Sequence, residues 1–151
     1  MLDRFVSEPI ELSEAARAGR YLRADLIFDE VDHSLASYEG RVYINAPDAT
    51  LSTGRDHPAY AGAFHIFGHG GCFGDVGHCD VPTGPRDPFD LRAPHQLTPV
   101  TKVVIVTDAL KRVVLSATDR SSVQVTVVVA APGQPSNDYL AFSRLRLLTY
   151  R

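Results

Sequence analysis

No apolar run in this 151-residue chain approaches the roughly 20 residues needed to cross a bilayer, so no membrane-spanning helix is expected. Nor is there a basic excess: 15 Lys and Arg against 18 Asp and Glu leave a net charge of −3. Nucleic-acid binders concentrate cations on one face to displace counterions, so this balance argues against that class of partner. The start, Met1-Leu-Asp-Arg-Phe-Val-Ser-Glu-Pro9, lacks a basic segment followed by an apolar one. No signal peptide is therefore expected in it, and the chain reads as soluble with no compartment assigned. The common catalytic signatures are missing too: there is no nucleophile elbow, no phosphate-cradling glycine loop before a helix and no HExxH helix. Gly68-His-Gly-Gly71 has the composition of an oxyanion loop but no nucleophile to serve. The carboxylates Asp75, Asp80, Asp87 and Asp90 are scattered, and spacing alone pairs none of them for acid–base work. Cysteine is scarce: two residues do not fix a redox compartment. No internal repeat, coiled coil or low-complexity tract is present.

Helical signal is scarce as well. Ser13-Glu-Ala-Ala-Arg-Ala-Gly19 predicts one or two turns, with Ser13 as N-cap and Gly19 as the stop. Thr107-Asp-Ala-Leu-Lys-Arg-Val113 predicts a further single turn capped by Thr107 or Asp108. What is abundant is strand. Segments 21–31, 38–46, 60–67, 101–106, 122–130 and 140–150 carry the apolar content. In Arg41-Val-Tyr-Ile-Asn-Ala46 the side chains alternate, Val42, Ile44 and Ala46 against Arg41, Tyr43 and Asn45, as a half-buried strand requires. Val123, Val125, Val127 and Val129 share one face of another strand. Thr101 to Val106 is almost wholly apolar and β-branched, which predicts burial on both faces. About seven strands with turns between them predict an all-β fold, an antiparallel Greek-key β-sandwich. The length suits one domain, residues 20–151, preceded by an N-terminal extension, 1–19, that holds the short helix.

Between Gly68 and Pro99 lies a long loop rich in glycine, proline, histidine and cysteine. Prolines 82, 85, 88, 94 and 99 forbid a regular ladder there, and a loop this long is usually functional or cross-linked. Its first part, His65-Ile-Phe-Gly-His-Gly-Gly-Cys-Phe-Gly-Asp-Val-Gly-His-Cys79, holds both cysteines and three of the six histidines. Cys72 and Cys79 could close a small disulfide ring that fastens the loop. Alternatively Cys72, Cys79, His69 and His78 form a two-thiolate, two-imidazole set suited to Zn or Cu, with His65 as a further ligand. Adjacent His78 and Cys79 point apart in extended chain, and the spacing misses the CxxC knuckle. Free thiols are the third option. His33 and His57 sit in polar, turn-like segments and read as solvated or bonded to nearby backbone, whereas His95 reads as packed on the loop.

Taken together, these strands resemble a known module. Ala24-Asp-Leu-Ile-Phe28, Gly40-Arg-Val-Tyr-Ile-Asn-Ala-Pro47, Tyr60-Ala-Gly-Ala-Phe-His-Ile-Phe-Gly68, Val104-Ile-Val-Thr-Asp-Ala-Leu110 and Val123-Gln-Val-Thr-Val-Val-Val129 occur in the module's order. The chain is similar, over roughly residues 20 to 150, to the C-terminal β-sandwich domain of tyrosinase-like proteins. These are the type 3 copper family of polyphenol oxidases and haemocyanins. The di-copper chemistry of that family needs six histidines on a four-helix bundle, which this chain lacks. The resemblance therefore implies no enzyme activity but an accessory, protein–protein interaction domain. In the family the sandwich leans over the copper site and can restrict access through a placed side chain, a role that by analogy falls to Phe73 or Phe89. The partner implied is a type 3 copper catalytic domain, which the sandwich would shield, supply with copper or assemble with. Two other functions stay open: an independent metalloprotein or enzyme built on the 65–79 loop, and a structural sandwich that self-associates through its edge strands.

Overall fold

The computed structural model describes residues 4–68, 88–89, 99–131 and 139–151. The described residues form nine strands and two helices. They run β1 (Arg4–Val6), β2 (Ile10–Glu11), α1 (Glu14–Arg17), β3 (Arg23–Val31), β4 (Tyr38–Ile44), β5 (Tyr60–Ile66) and β6 (Val100–Ile105). After these come α2 (Thr107–Ser116), β7 (Ser122–Val123), β8 (Val125–Ala130) and β9 (Arg144–Tyr150). Every pairing is antiparallel. A four-stranded sheet in the order β1-β8-β4-β5 faces a three-stranded sheet in the order β6-β3-β9, and β2 pairs with β7 at one end. The expected all-β sandwich is what the chain adopts. Strands β1 and β2 are too short to leave a periodic signal and have no counterpart in the sequence reading.

The core is made by alternation. Leu26, Phe28 and Val31 from β3 meet Val42, Ile44, Phe64 and Ile66 from the opposite sheet, with Val125, Val127 and Val129 completing the layer. Phe28 packs 4.8 Å from Phe64, ring to ring, and 5.4 Å edge-on from Phe142. Full burial of each such side chain stabilises by about 1.5–3 kcal/mol relative to exposure. Gly40 faces Phe64 across the β4–β5 ladder, and a Cβ at Gly40 would lie 2.5 Å from the ring. Glycine is used here because the aromatic ring takes the space.

Two burial expectations are corrected. Tyr43 was expected on the open side of a half-buried strand, yet it is fully buried. The segment after β4 folds back over that side of the sheet, so Tyr43 packs in a second, smaller cluster with Val128, Ala49 and Ala59. Its hydroxyl donates to the Thr53 carbonyl at 2.7 Å. The turn back starts at Asn45, whose positive φ of 55° is tolerated by asparagine and ends the strand at Ile44. Conversely, 101–106 was expected buried on both faces, but among the described residues β6 is an edge strand with one face open. Val104 and Val106 are buried while Val103 and Ile105 are exposed.

The first helix forms as its caps dictate. Ser13 accepts from the Ala16 N–H, and Gly19 follows with φ 67°. Helix α2 is longer than the single expected turn, with ten residues whose Ala109, Leu110 and Val114 bury against the sandwich. Its expected side-chain cap is absent. Thr107 instead accepts from the backbone N–H of Ala24 at 3.0 Å, which ties the helix start to β3.

Candidate interaction face

The outer face of the β6-β3-β9 sheet is built by register. Directly opposite residues of an antiparallel pair point to the same side. Asp25 on β3 therefore lies between Ile105 and Leu148, and Ile27 lies between Val103 and Arg146. Ile105 is 59% exposed and Val103 47%, whereas central Ile27 is 9% exposed. With half-buried Leu148 and exposed Tyr150 they make an apolar field on a side of the sandwich that would ordinarily be polar. Nothing in the rest of the described chain covers Ile105 or Val103.

Charge frames this field. Asp25 is buried between its apolar neighbours and accepts from Arg23 Nε at 2.8 and 3.0 Å. Asp29 accepts from Arg146 at 2.7 and 2.8 Å and from Arg144 at 3.1 Å. The Arg146 hydrogen bond, aided by that from Arg144, holds the Asp29 carboxyl below the usual carboxylate range. Arg23, Arg144 and Arg146 with Asp25, Asp29 and the exposed Glu30 give this face a rim of both charge signs.

The expected metal and gating residues are placed only in part. His69, Cys72, Phe73, His78, Cys79 and His95 lie outside the described residues, as do Asp75, Asp80, Asp87 and Asp90. His65 sits exposed on β5, opposite Glu39. Phe89 is 90% exposed. His57 uses Nδ1 to accept from the Ala59 N–H at 3.2 Å, as a turn histidine bonded to nearby backbone should. Among the described residues, no three of His, Cys, Asp or Glu gather so as to hold a metal ion. No helix of the described residues is long and apolar enough to cross a membrane. Two open clefts, about 500 Å³ beside Phe5 and Phe142 and about 640 Å³ beside Asp48 and His57, hold serines near acids or a histidine. Their hydroxyls are bonded elsewhere, Ser7 to the Glu8 carbonyl, Ser143 to the Asp29 carbonyl and Ser52 to Thr50, and His57 Nδ1 is taken by the Ala59 N–H.

Sequence reasoning missed this open apolar face because it placed Val103 and Ile105 in the core. The available signal was the long proline-rich loop just before β6, which makes an edge position natural for the strand that follows it.

Neither a protein-family model nor a curated protein sequence matches the chain. Solved structures do. Recombinantly expressed latent aurone synthase, a polyphenol oxidase, superposes with a TM-score of 0.54 at 13% identity, covering 97% of this chain and 24% of that one. Latent aurone synthase from its natural source gives 0.53 at 13% identity with the same coverage. The recombinantly expressed enzyme co-crystallised with hexatungstotellurate(VI) gives 0.53 at 11% identity. The chain thus spans about a quarter of the length of the structures it matches. At this level of identity the likeness is one of fold. The chain has the fold of one β-sandwich domain of a tyrosinase-like polyphenol oxidase, consistent with the C-terminal domain of such proteins.

Proposed function

We propose that this domain is a non-catalytic accessory module that packs against the di-copper domain of a tyrosinase-like protein. The observation that carries the reading is coverage: almost the whole chain matches a part, about a quarter, of a polyphenol oxidase. The open, apolar, charge-rimmed face of the β6-β3-β9 sheet supports it, because such a surface suits a protein partner better than water. That partner would present an apolar centre with a polar rim.

The test is to add the purified chain to the isolated di-copper domain of a tyrosinase-like polyphenol oxidase and follow diphenol oxidation. The chain alone is expected to be silent and, once bound, to lower turnover by covering the copper site. Robust oxidation by the chain alone, or turnover and mobility that ignore its addition, would overturn the reading. The accessory role goes with a clamped loop, so Cys72 and Cys79 are proposed as a disulfide. Denaturing mass spectrometry without reductant should find the chain two hydrogens light. A full-thiol chain that carries one Zn or Cu under native conditions would instead make His69, Cys72, His78 and Cys79 a metal site.

A further inference from the structure

β9 closes the three-stranded sheet. It pairs with β3 along its whole length, from Arg144 opposite Asp29 to Tyr150 opposite Arg23, without a break in register. Among the described residues no strand pairs with its other side. Such an edge presents a row of unpaired N–H and C=O groups, which proteins normally guard with proline, a bulge, an inward charge or a very short strand. β9 has none of these. Arg144-Leu-Arg-Leu-Leu-Thr-Tyr150 contains no proline or glycine, and its inward residues, Leu145 and Leu147, are half-buried apolar groups at the rim of the core. Its remaining guard is two outward arginines, both drawn onto Asp29.

We propose that β9 pairs antiparallel with β9 of a second copy about a two-fold axis at Leu147, joining two three-stranded sheets into one of six. Register decides the axis. Centring on Leu145 sets Arg144 against Arg146, and centring on Arg146 sets that residue against itself. Centring on Leu147 uses the whole strand and sets no like charges opposite each other. Arg144 then faces Tyr150 of the second copy, Arg146 faces Leu148, and Leu145 faces Thr149. Arg144 gains an aromatic ring of the kind guanidiniums favour. The inward leucines of both copies extend one continuous apolar floor. The seam is independent of the accessory reading, since it uses the strand's edge and leaves the outer face over Val103 and Ile105 open.

Sedimentation velocity on the purified chain, over a dilution series from millimolar to nanomolar, tests this directly. A reversible monomer–dimer equilibrium is expected. Leu148→Lys places a cation opposite Arg146 of the other copy, twice by symmetry, and should weaken dimerisation about tenfold or more. Within its own chain that lysine would face Asp25, so the fold itself is not opposed. Tyr150→Glu, placed opposite Arg144 of the other copy and Arg23 of its own chain, should tighten the dimer. A monomer at every concentration overturns the proposal and leaves the edge to a strand of some other protein. A dimer that Leu148→Lys does not weaken has its seam elsewhere and overturns it equally.

Discussion

The two sheets of this sandwich are finished differently. The β1-β8-β4-β5 sheet is covered on both sides, by the core within and by the folded-back 45–59 segment outside. Among the described residues the β6-β3-β9 sheet is covered on one side only, and its other side leaves Ile105 and Val103 exposed. Both outer faces carry apolar residues at their strand centres, so composition does not separate them. Coverage does: where the chain supplies its own cover the face serves stability, and where it does not the face is available to a partner.

Substitution should separate the two roles. The largest loss is expected in the shared core. Phe28→Ala removes a ring packed against Phe64 and Phe142 and should cost about 3–5 kcal/mol in chemical denaturation. A cost below about 1 kcal/mol would mean that the two sheets do not share this core. Next come two tyrosines on β4 that point to opposite sides. Tyr43→Phe deletes the hydrogen bond to the Thr53 carbonyl that pins the covering segment, and should lose about 1 kcal/mol. The Tyr38 hydroxyl is buried with no hydrogen-bond partner among the described residues. Tyr38→Phe should therefore be neutral or stabilising, and equal losses from both changes would contradict this contrast.

On the open sheet the expected change in stability is smallest. Val103→Thr with Ile105→Thr should shift the unfolding free energy by no more than about 1 kcal/mol, since both side chains are already about half exposed. The same pair of changes should abolish binding to a di-copper domain. The acid limb of stability gives a finer probe. The Asp29 carboxyl is held below its ordinary range by Arg146 and Arg144, so folding favours its ionised form. That stabilisation is present above the unfolded-state value, near 3.9, and is lost as the pH falls through the lower folded-state value. Asp29→Asn should flatten this part of the stability–pH curve, and an unchanged acid limb would exclude the ion cluster as its source.

Much of the sandwich was legible in the sequence, and the reason is period. Val123, Val125, Val127 and Val129 alternate toward the core as written, and Ser13 and Gly19 bracket α1 as their chemistry requires. What period cannot state is whether a second layer lies beyond a face. Tyr43 was misplaced because the cover over it comes from residues 45–59, a loop with no pattern of its own. Val103 and Ile105 were misplaced for the opposite reason, because a β-branched run looks the same at an edge as at the centre of a sheet. Helix α2 was shortened in the reading because its apolar positions, Ala109, Leu110 and Val114, follow straight on from a strand. The open apolar face was therefore invisible, as it exists only through the register of β3 with β6 and β9. The histidine and cysteine loop was the loudest sequence signal, and from His69 to Cys79 it lies outside the described residues.

The most direct measurement is hydrogen–deuterium exchange of the chain with and without the di-copper domain of a tyrosinase-like polyphenol oxidase. An accessory domain that docks through the open sheet predicts new protection over Val100–Ile105 and Arg23–Val31. Exchange in Tyr38–Ile44 and Val125–Ala130 should not change. Protection confined to the already covered sheet, or none at all, would contradict the account.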